Sequence, residues 1–145
     1  MIEAVGDSYD VFISKNTLKL GYIHPAREVD PLMTIDLGVD DETFLAHLHR
    51  ILVPGGLAML YNICPPEAGE DQPYIPWADG RSPFSTEAWE AAGFEVLAFS
   101  RVDNDAARAQ GVTLGWGDAS AMEQGIFCWY TLARRLEDAD SKGPR

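Results

Sequence analysis

The stretch LHRILVPGGLAML, residues 48–60, decides the fold class of this chain. Its first part, residues 48–52, is the end of a longer segment, residues 41–52. The apolar residues of that segment recur at the three- and four-residue spacing of an amphipathic helix. Acidic residues at positions 40–42 supply an N-cap and negative charge for the start of this helix. The turn PGG at residues 54–56 then ends the helix. Residues 57–63 follow as a continuous apolar run, which predicts a buried strand packed beside the helix.

The rest of the chain repeats this alternation of strands and helices. The remaining predicted elements are strands over residues 9–14, 94–99 and 126–133, short helices over residues 86–93 and 103–110, and long loops over residues 15–39, 65–85 and 111–125. The strand over residues 9–14 is a continuous apolar run, the pattern of a strand that is covered on both faces. Such alternation predicts an α/β fold with helices on the faces of the sheet. No long apolar helix separates the last two strands, so we expect them to pair antiparallel.

Composition and charge exclude several classes of function. The chain has 145 residues, 46% hydrophobic and 23% charged, which is typical of one globular domain. Its net charge of −12 disfavours nucleic acid and anionic membrane surfaces as partners. No apolar run approaches the ~20 residues of a membrane span, and the N-terminus lacks the apolar region of a signal peptide. Two cysteines make no disulfide framework, so we expect a cytoplasmic protein.

No metal site is predicted. His47 and His49 lie two residues apart on the predicted helix, so their side chains project about 200° from one another. No cluster of cysteines and histidines has metal-ligand spacing. Cys64 and Cys128 occupy strand positions, where we expect them to pack as small buried hydrophobes.

Four segments together resemble the C-terminal half of a class I S-adenosylmethionine-dependent methyltransferase. The segments are YDVFIS (residues 9–14), LHRILVPGGLAML (48–60), WEAAGFEVLAFS (89–100) and IFCWYTLARR (126–135). In that family, a Leu-x-Pro-Gly-Gly turn leads into the fifth strand, an Ala-Gly-Phe turn leads into the sixth, and an antiparallel seventh strand closes the sheet. The resemblance implies a partial Rossmann-like methyltransferase sheet of about four strands, the last one antiparallel, flanked by helices.

The resemblance also implies that part of the family's domain is absent. The family carries a Gly-rich turn for the cofactor and an acidic residue for its ribose before the fourth strand, whereas only eight residues precede Tyr9 here. We therefore interpret residues 1–135 as a single, N-terminally truncated domain and residues 136–145 as a flexible tail. The Gly-x-Gly within residues 114–118 is interpreted as a plain loop. Residues 9–14 would form an exposed edge strand, which predicts a homodimer or a partner chain at that strand.

The stretch SKNTLKLGYIHP, residues 14–25, places many hydrogen-bonding side chains where the first predicted strand ends. In open α/β sheets, ligands bind beyond the carboxyl ends of the strands. By the resemblance, this stretch lines the methyl-transfer pocket. Its candidates are Ser14 and Asn16 for the cofactor, Lys15 and Tyr22 for the acceptor, and His24 as the general base. The alternative is an ordinary loop, in which Asn16 caps a turn and His24 lies on the surface.

Three further candidates for acceptor binding follow the second predicted strand. Asn62 lies at its carboxyl end and faces the same pocket if the sheet is parallel, or else bonds its own backbone. Trp77 and Asp79 belong to the loop YIPWADGR, residues 74–81, which is either a lid that stacks on the acceptor or a segment that Trp77 anchors to the core. An ion pair between Asp79 and Arg81 is also expected.

These observations predict transfer of a methyl group from S-adenosylmethionine to a small-molecule acceptor, by a chain that is incomplete on its own. The rival hypothesis is a noncatalytic remnant of the methyltransferase fold that acts as a binding or oligomerisation module. A third is an unrelated α/β binding module whose Pro-Gly-Gly turn is coincidental. Binding of the cofactor by this chain alone distinguishes the first two.

Overall fold

A computed structural model describes residues 6–138. The strands are β1 (Tyr9–Lys15), β2 (Leu52–Cys64), β3 (Phe94–Val102) and β4 (Phe127–Arg135). The helices are α1 (Leu20–Ile23), α2 (Asp41–Ile51), α3 (Thr86–Ala91), α4 (Asn104–Thr113) and α5 (Ala119–Gly125), with 3₁₀ turns at Pro31–Met33 and Pro76–Ala78. No helix within the described residues is both long and apolar enough to cross a membrane.

The four strands form one mixed sheet in the order β1-β2-β4-β3. β1 and β2 are parallel, and β4 is antiparallel to both of its neighbours, β2 and β3. The α/β fold class and the antiparallel pairing of the last two strands are therefore confirmed. The last strand is inserted between its predecessors, so β1 and β3 form the two edges of the sheet.

The core lies on one face of the sheet, under α2 and α3. Its members are fully or nearly fully buried side chains from both helices, from β2, β3 and β4 and from the loop before α3, among them Leu45, Leu48, Leu52, Leu60, Phe84, Trp89, Phe94 and Ala133. Phe84, Trp89 and Phe94 meet edge to face, with ring centroids 5.6 Å and 5.1 Å apart. This arrangement is favoured by the aromatic quadrupoles and fixes α3 against β3.

The PGG turn does not separate α2 from β2 as predicted. The helix ends at Ile51 and the strand begins at Leu52, before the turn. Tyr9 pairs with Leu52, but Val11 already pairs with Leu57, so residues 53–56 form an irregularity within β2. Gly55 has a φ of 81°, which glycine adopts without strain.

The predicted loop over residues 111–125 is wrong in its second half, which forms α5. The side chain of Asp118 caps this helix by accepting a hydrogen bond from the Ala121 amide at 2.8 Å. Met122 is buried and packs beside Gly111 of α4. Because α5 buries Met122 alone, its sequence has no apolar periodicity that would indicate a helix.

Among the described residues β1 is an exposed edge strand, as the resemblance implied, whereas the coverage on both faces that its apolar run indicated is wrong. Phe12 packs against the core, and the backbone alternation turns Val11 and Ile13 to the opposite face, where they are 50% and 63% exposed. Within residues 6–138, β1 pairs with β2 alone. An apolar run therefore lies at the edge of the sheet with half of its side chains in solvent.

Candidate functional site

The stretch from Ser14 to Pro25 leaves the sheet at the carboxyl end of β1, forms α1 and turns at His24 toward the start of α2. A cleft of about 750 Å³ opens between this turn and α2. Its lining includes the apolar side chains of Ile23, Ile35, Leu37 and Val39 and the acidic side chains of Asp36, Asp40, Asp41 and Glu42. Of the predicted site residues, His24 alone lines this cleft.

His24 is held by a carboxylate in the first turn of α2. Its Nε2 lies 2.7 Å from Oδ2 of Asp41, and both side chains remain partly exposed. A carboxylate oxygen accepts hydrogen bonds, so in this geometry Nε2 is the ring nitrogen that donates, and Nδ1 is the one that Asp41 does not contact. The pair therefore fixes the orientation of an imidazole ring at the wall of a cleft.

The cleft carries more negative than positive charge. Asp40 caps α2, and the hydrogen bonds from Thr43 hold the pKa of Asp40 below its usual range. Asp36 accepts a hydrogen bond from the Gly38 amide at 2.8 Å. These carboxylates favour a neutral or cationic ligand over an anionic one.

Asn16 and Asn62 join the carboxyl ends of β1 and β2. The backbone N–H of Asn16 donates to Oδ1 of Asn62 at 3.1 Å, and Oδ1 of Asn16 accepts from the Ile63 amide at 2.7 Å. Asn62 is 1% exposed, and its Nδ2 donates to the carbonyl oxygens of Leu18 and Gly80. The strand ends meet as expected, while the ligand-binding role of both residues stays a prediction. The Nδ2 group of Asn16 is the part of this pair that has no partner among the described residues.

Lys19 is a buried cation that the sequence reasoning missed. It is 4% exposed, and its Nζ donates to the carbonyl oxygens of Ile63 at 2.8 Å and Trp77 at 3.0 Å. The ammonium also lies 5.6 Å from the centroid of the Tyr22 ring. Burial raises the pKa of the neighbouring Cys64 thiol, and Lys19 partly offsets this rise. Lys15 and Lys19 look alike in the sequence, so no pattern indicated which of them is buried.

The remaining predicted residues are spread around this edge of the sheet. Lys15 is exposed, Tyr22 lies beneath Lys19, and Trp77 is partly exposed. Asp79 binds Arg81 through two hydrogen bonds of 2.9 Å and 2.8 Å, which confirms the predicted ion pair. This pair lines a second, smaller cleft of about 250 Å³, so Asp79 and His24 lie in different clefts.

The described residues do not by themselves fit S-adenosylmethionine. Ser14 is buried in β1, and the side-chain oxygen of Asn16 is bonded to the Ile63 amide. Within residues 6–138, no strand runs into a Gly-rich turn at its carboxyl end, because the glycines of residues 114–118 lie between α4 and α5. The amino-acid end and the ribose of the cofactor need several further donors and acceptors.

No group of three or more His, Cys, Asp or Glu side chains within the described part of the chain is arranged to hold a metal ion. Cys64 and Cys128 are free and buried, as expected.

No protein-family model and no curated protein matches the chain. Solved structures with a similar fold include an S-adenosylmethionine-dependent methyltransferase from Mesorhizobium loti, at 17% identity and a TM-score of 0.44, where the match covers 90% of this chain and 63% of that one. The [4+2]-cyclase SpnF matches at 18% identity and a TM-score of 0.41, over 92% of this chain and 52% of its own. Phosphoethanolamine N-methyltransferase 2 of Haemonchus contortus, solved in complex with S-adenosyl-L-methionine, matches at 11% identity and a TM-score of 0.41. This match covers 89% of this chain and 34% of that one. The chain thus spans about half the length of these structures, and at such low similarity they assign no activity to it.

Proposed function

We propose that this chain carries the acceptor side of a methyltransferase-type site. The observation that carries the proposal is the hydrogen bond of 2.7 Å between His24 and Asp41 at the wall of the larger cleft. It supplies a positioned base where an α/β sheet of this kind binds ligands, beyond the carboxyl end of a strand. The acceptor is a small molecule with a hydroxyl or amine proton to lose.

Three features support the methyltransferase type over other α/β domains. The Leu-x-Pro-Gly-Gly segment, residues 52–56, lies at the start of β2, and the Ala-Gly-Phe turn, residues 92–94, leads into β3, which is the order that the resemblance implies. The parallel pairing of β1 with β2 agrees with the same arrangement, as does the antiparallel last strand. The cleft follows β1, which is the strand expected to lead into the acceptor pocket.

The chemistry of this chain's own residues is proton removal. Nδ1 of His24 accepts the proton of the acceptor as its oxygen or nitrogen becomes the nucleophile. Asp41 keeps the imidazole in one tautomer and stabilises the imidazolium that forms. A positioned base of this kind contributes about 10²- to 10⁴-fold in rate. The acidic lining favours a neutral or cationic acceptor.

S-adenosylmethionine, when bound, supplies the methyl group, and its binding requires groups beyond Ser14 and Asn16. We propose that a second wall, outside the described residues of this chain, provides them. The proposal concerns the acceptor side and does not depend on which polypeptide supplies this wall.

The proposal is tested by ligand titrations followed on the ring resonances of His24 by NMR. Ethanolamine, phenol and acetate serve as cationic, neutral and anionic probes. We expect the first two to shift the His24 signals more than acetate does, and His47 to stay unchanged as an internal control. Filling the cleft with Val39→Trp removes the response, whereas Val112→Trp, an exposed valine on α4, leaves it intact. Equal responses of His24 and His47, or a response that survives Val39→Trp, contradict an acceptor site here.

A noncatalytic module is the second candidate, and the bonds of Asn62 and Lys19 favour it. Both side chains satisfy backbone carbonyl groups, so they account for part of the polarity at this edge without any ligand. On this hypothesis none of the three probes saturates, and Asp41→Asn changes stability but no binding signal.

A further inference from the structure

The outer edge of β1 presents backbone groups that no other strand of the described residues pairs with. The backbone N–H of Asn16 donates to the Tyr61 carbonyl oxygen at 3.0 Å, and the carbonyl oxygen of Asp10 points at Gly56, where a Cβ would approach it to 3.2 Å. The even-numbered residues of β1 therefore direct their backbone toward β2. In a parallel ladder the intervening residues direct theirs away. Val11 and Ile13 thus turn their N–H and C=O groups outward.

The same two residues carry the most exposed apolar side chains in the middle of the strand. They project from the open face of the sheet, beside the half-buried Leu57 and Met59 of β2. Edge strands are normally protected by proline or by a charge near their middle. β1 has no proline, and its charged residues, Asp10 and Lys15, lie toward its two ends.

We propose that β1 pairs antiparallel with β1 of a second copy of this chain, around a two-fold axis that passes Phe12. An axis perpendicular to the sheet keeps each face on its own side, so Val11 of one copy lies opposite Ile13 of the other. Both residues have outward backbone groups, so the two symmetric pairs form four hydrogen bonds. Their side chains form two apolar cross-strand pairs on the open face.

The charges of the strand identify the second copy as the occupant. Antiparallel pairing brings Lys15 of one copy to the acidic amino end of the other, which carries Asp10 and, just before the strand, Asp7. Parallel pairing would instead oppose Asp10 with Asp10 and Lys15 with Lys15, and like charges in opposition destabilise a ladder. The result is one continuous eight-stranded sheet, β3-β4-β2-β1 followed by its symmetric copy.

Sedimentation equilibrium of the full chain and of two matched variants tests this proposal. Ile13 and Val102 are both exposed branched residues, 63% and 55%, on the two edge strands of the sheet. We expect a reversible dimer for the unmodified chain, a dissociation constant about tenfold weaker or more for Ile13→Lys, and no change for Val102→Lys. Because the Ile13 side chain lies in solvent, circular dichroism should report an unchanged fold. An unmodified chain that stays monomeric, or a dimer that Ile13→Lys does not weaken, overturns the proposal.

Disulfide formation tests the register. In a hydrogen-bonded antiparallel pair the Cα atoms lie about 5.5 Å apart, which a disulfide spans. Val11→Cys mixed with Ile13→Cys should cross-link on mild oxidation, while each variant alone should not, and the native Cys64 and Cys128 are buried. Cross-linking of either variant with itself places the axis elsewhere and overturns the stated register. A monomer in which the Ile13 amide is protected from hydrogen exchange overturns the second copy in favour of another segment of the same chain.

Discussion

Asn62 makes three hydrogen bonds from a fully buried position. Asn62→Ala removes the donor to the carbonyl groups of Leu18 and Gly80, while the Asn16 amide keeps its bond to the Tyr61 carbonyl oxygen. We expect the free energy of unfolding to fall by about 2–4 kcal/mol, measured by urea denaturation. Asn16→Gly tolerates the φ of 62° at that position and loses one acceptor, so it should cost about 1 kcal/mol. An equal decrease in the free energy of unfolding for the two variants would contradict the larger contribution that we assign to the Asn62 side chain.

Lys19 allows a comparison between a buried and an exposed lysine of the same stretch. Lys19→Met keeps the length of the side chain but removes the donors to the carbonyl groups of Ile63 and Trp77. We expect it to destabilise the fold by about 2 kcal/mol in thermal or urea unfolding. The matched variant Lys15→Met removes an exposed charge and should stay within about 0.5 kcal/mol of the unmodified chain. A larger effect at Lys15 would mean that the assignment of the buried cation is wrong.

His49 makes stability depend on pH. Burial lowers its pKa from the ordinary value of 6.5, the charge of Arg135 lowers it further, and Asp138 opposes both. The folded state therefore binds this proton less readily than the unfolded state, so stability is lost as the pH falls below about 6.5. His49→Gln should reduce the loss of unfolding free energy between about pH 7.5 and about pH 5.5. If the free energy of unfolding of the unmodified chain and that of His49→Gln depend on pH in the same way, His49 does not contribute to the pH dependence.

At the scale of elements, the docking of α1 on the 3₁₀ turn Pro76–Ala78 depends on Gly21. A Cβ at Gly21 would lie 1.8 Å from the Pro76 carbonyl oxygen, a backbone atom that cannot move alone. We expect Gly21→Ala to separate the two segments and cost about 3 kcal/mol. Gly125→Ala is the control, because no atom lies within 4 Å of its Cβ position, and it should be neutral in the same unfolding experiment. An unchanged free energy of unfolding in both variants would refute the close packing of Gly21 against Pro76.

Elements with strong local signals were predictable from the sequence, and elements held by tertiary contacts were not. Helix α2 has an acidic cap and a full apolar period, and its predicted span differs from the observed one by a single residue. Helix α5 buries Met122 alone, and β2 begins before its Pro-Gly-Gly turn because the neighbouring β1 extends its pairing. The apolar run of β1 by itself indicated a strand covered on both faces, and its place at an edge followed only from the resemblance, because strand order is set by the whole sheet.

At the scale of the molecule, the meeting of the two strand ends was predictable, and the side-chain contacts around them were not. The sequence predicted that the polar stretch after β1 and the end of β2 meet, since parallel strands end at one edge. It did not pair His24 with Asp41, which lies across a long loop, nor assign the buried charge to Lys19. These contacts depend on how the loop over residues 15–39 folds back, and no local pattern encodes that path.

The central claim is that the chain provides one wall of a methyltransferase-type site, with the acceptor side built and the cofactor side not. The most direct test is titration of S-adenosylhomocysteine, the product form of the cofactor, into the isotopically labelled chain, followed by NMR on all backbone amides. We predict a folded spectrum with no saturable shifts at Ser14 or Asn16 for the chain alone. Saturable, stoichiometric shifts centred on these two residues would contradict the account, because the described residues would then hold the cofactor without a second wall.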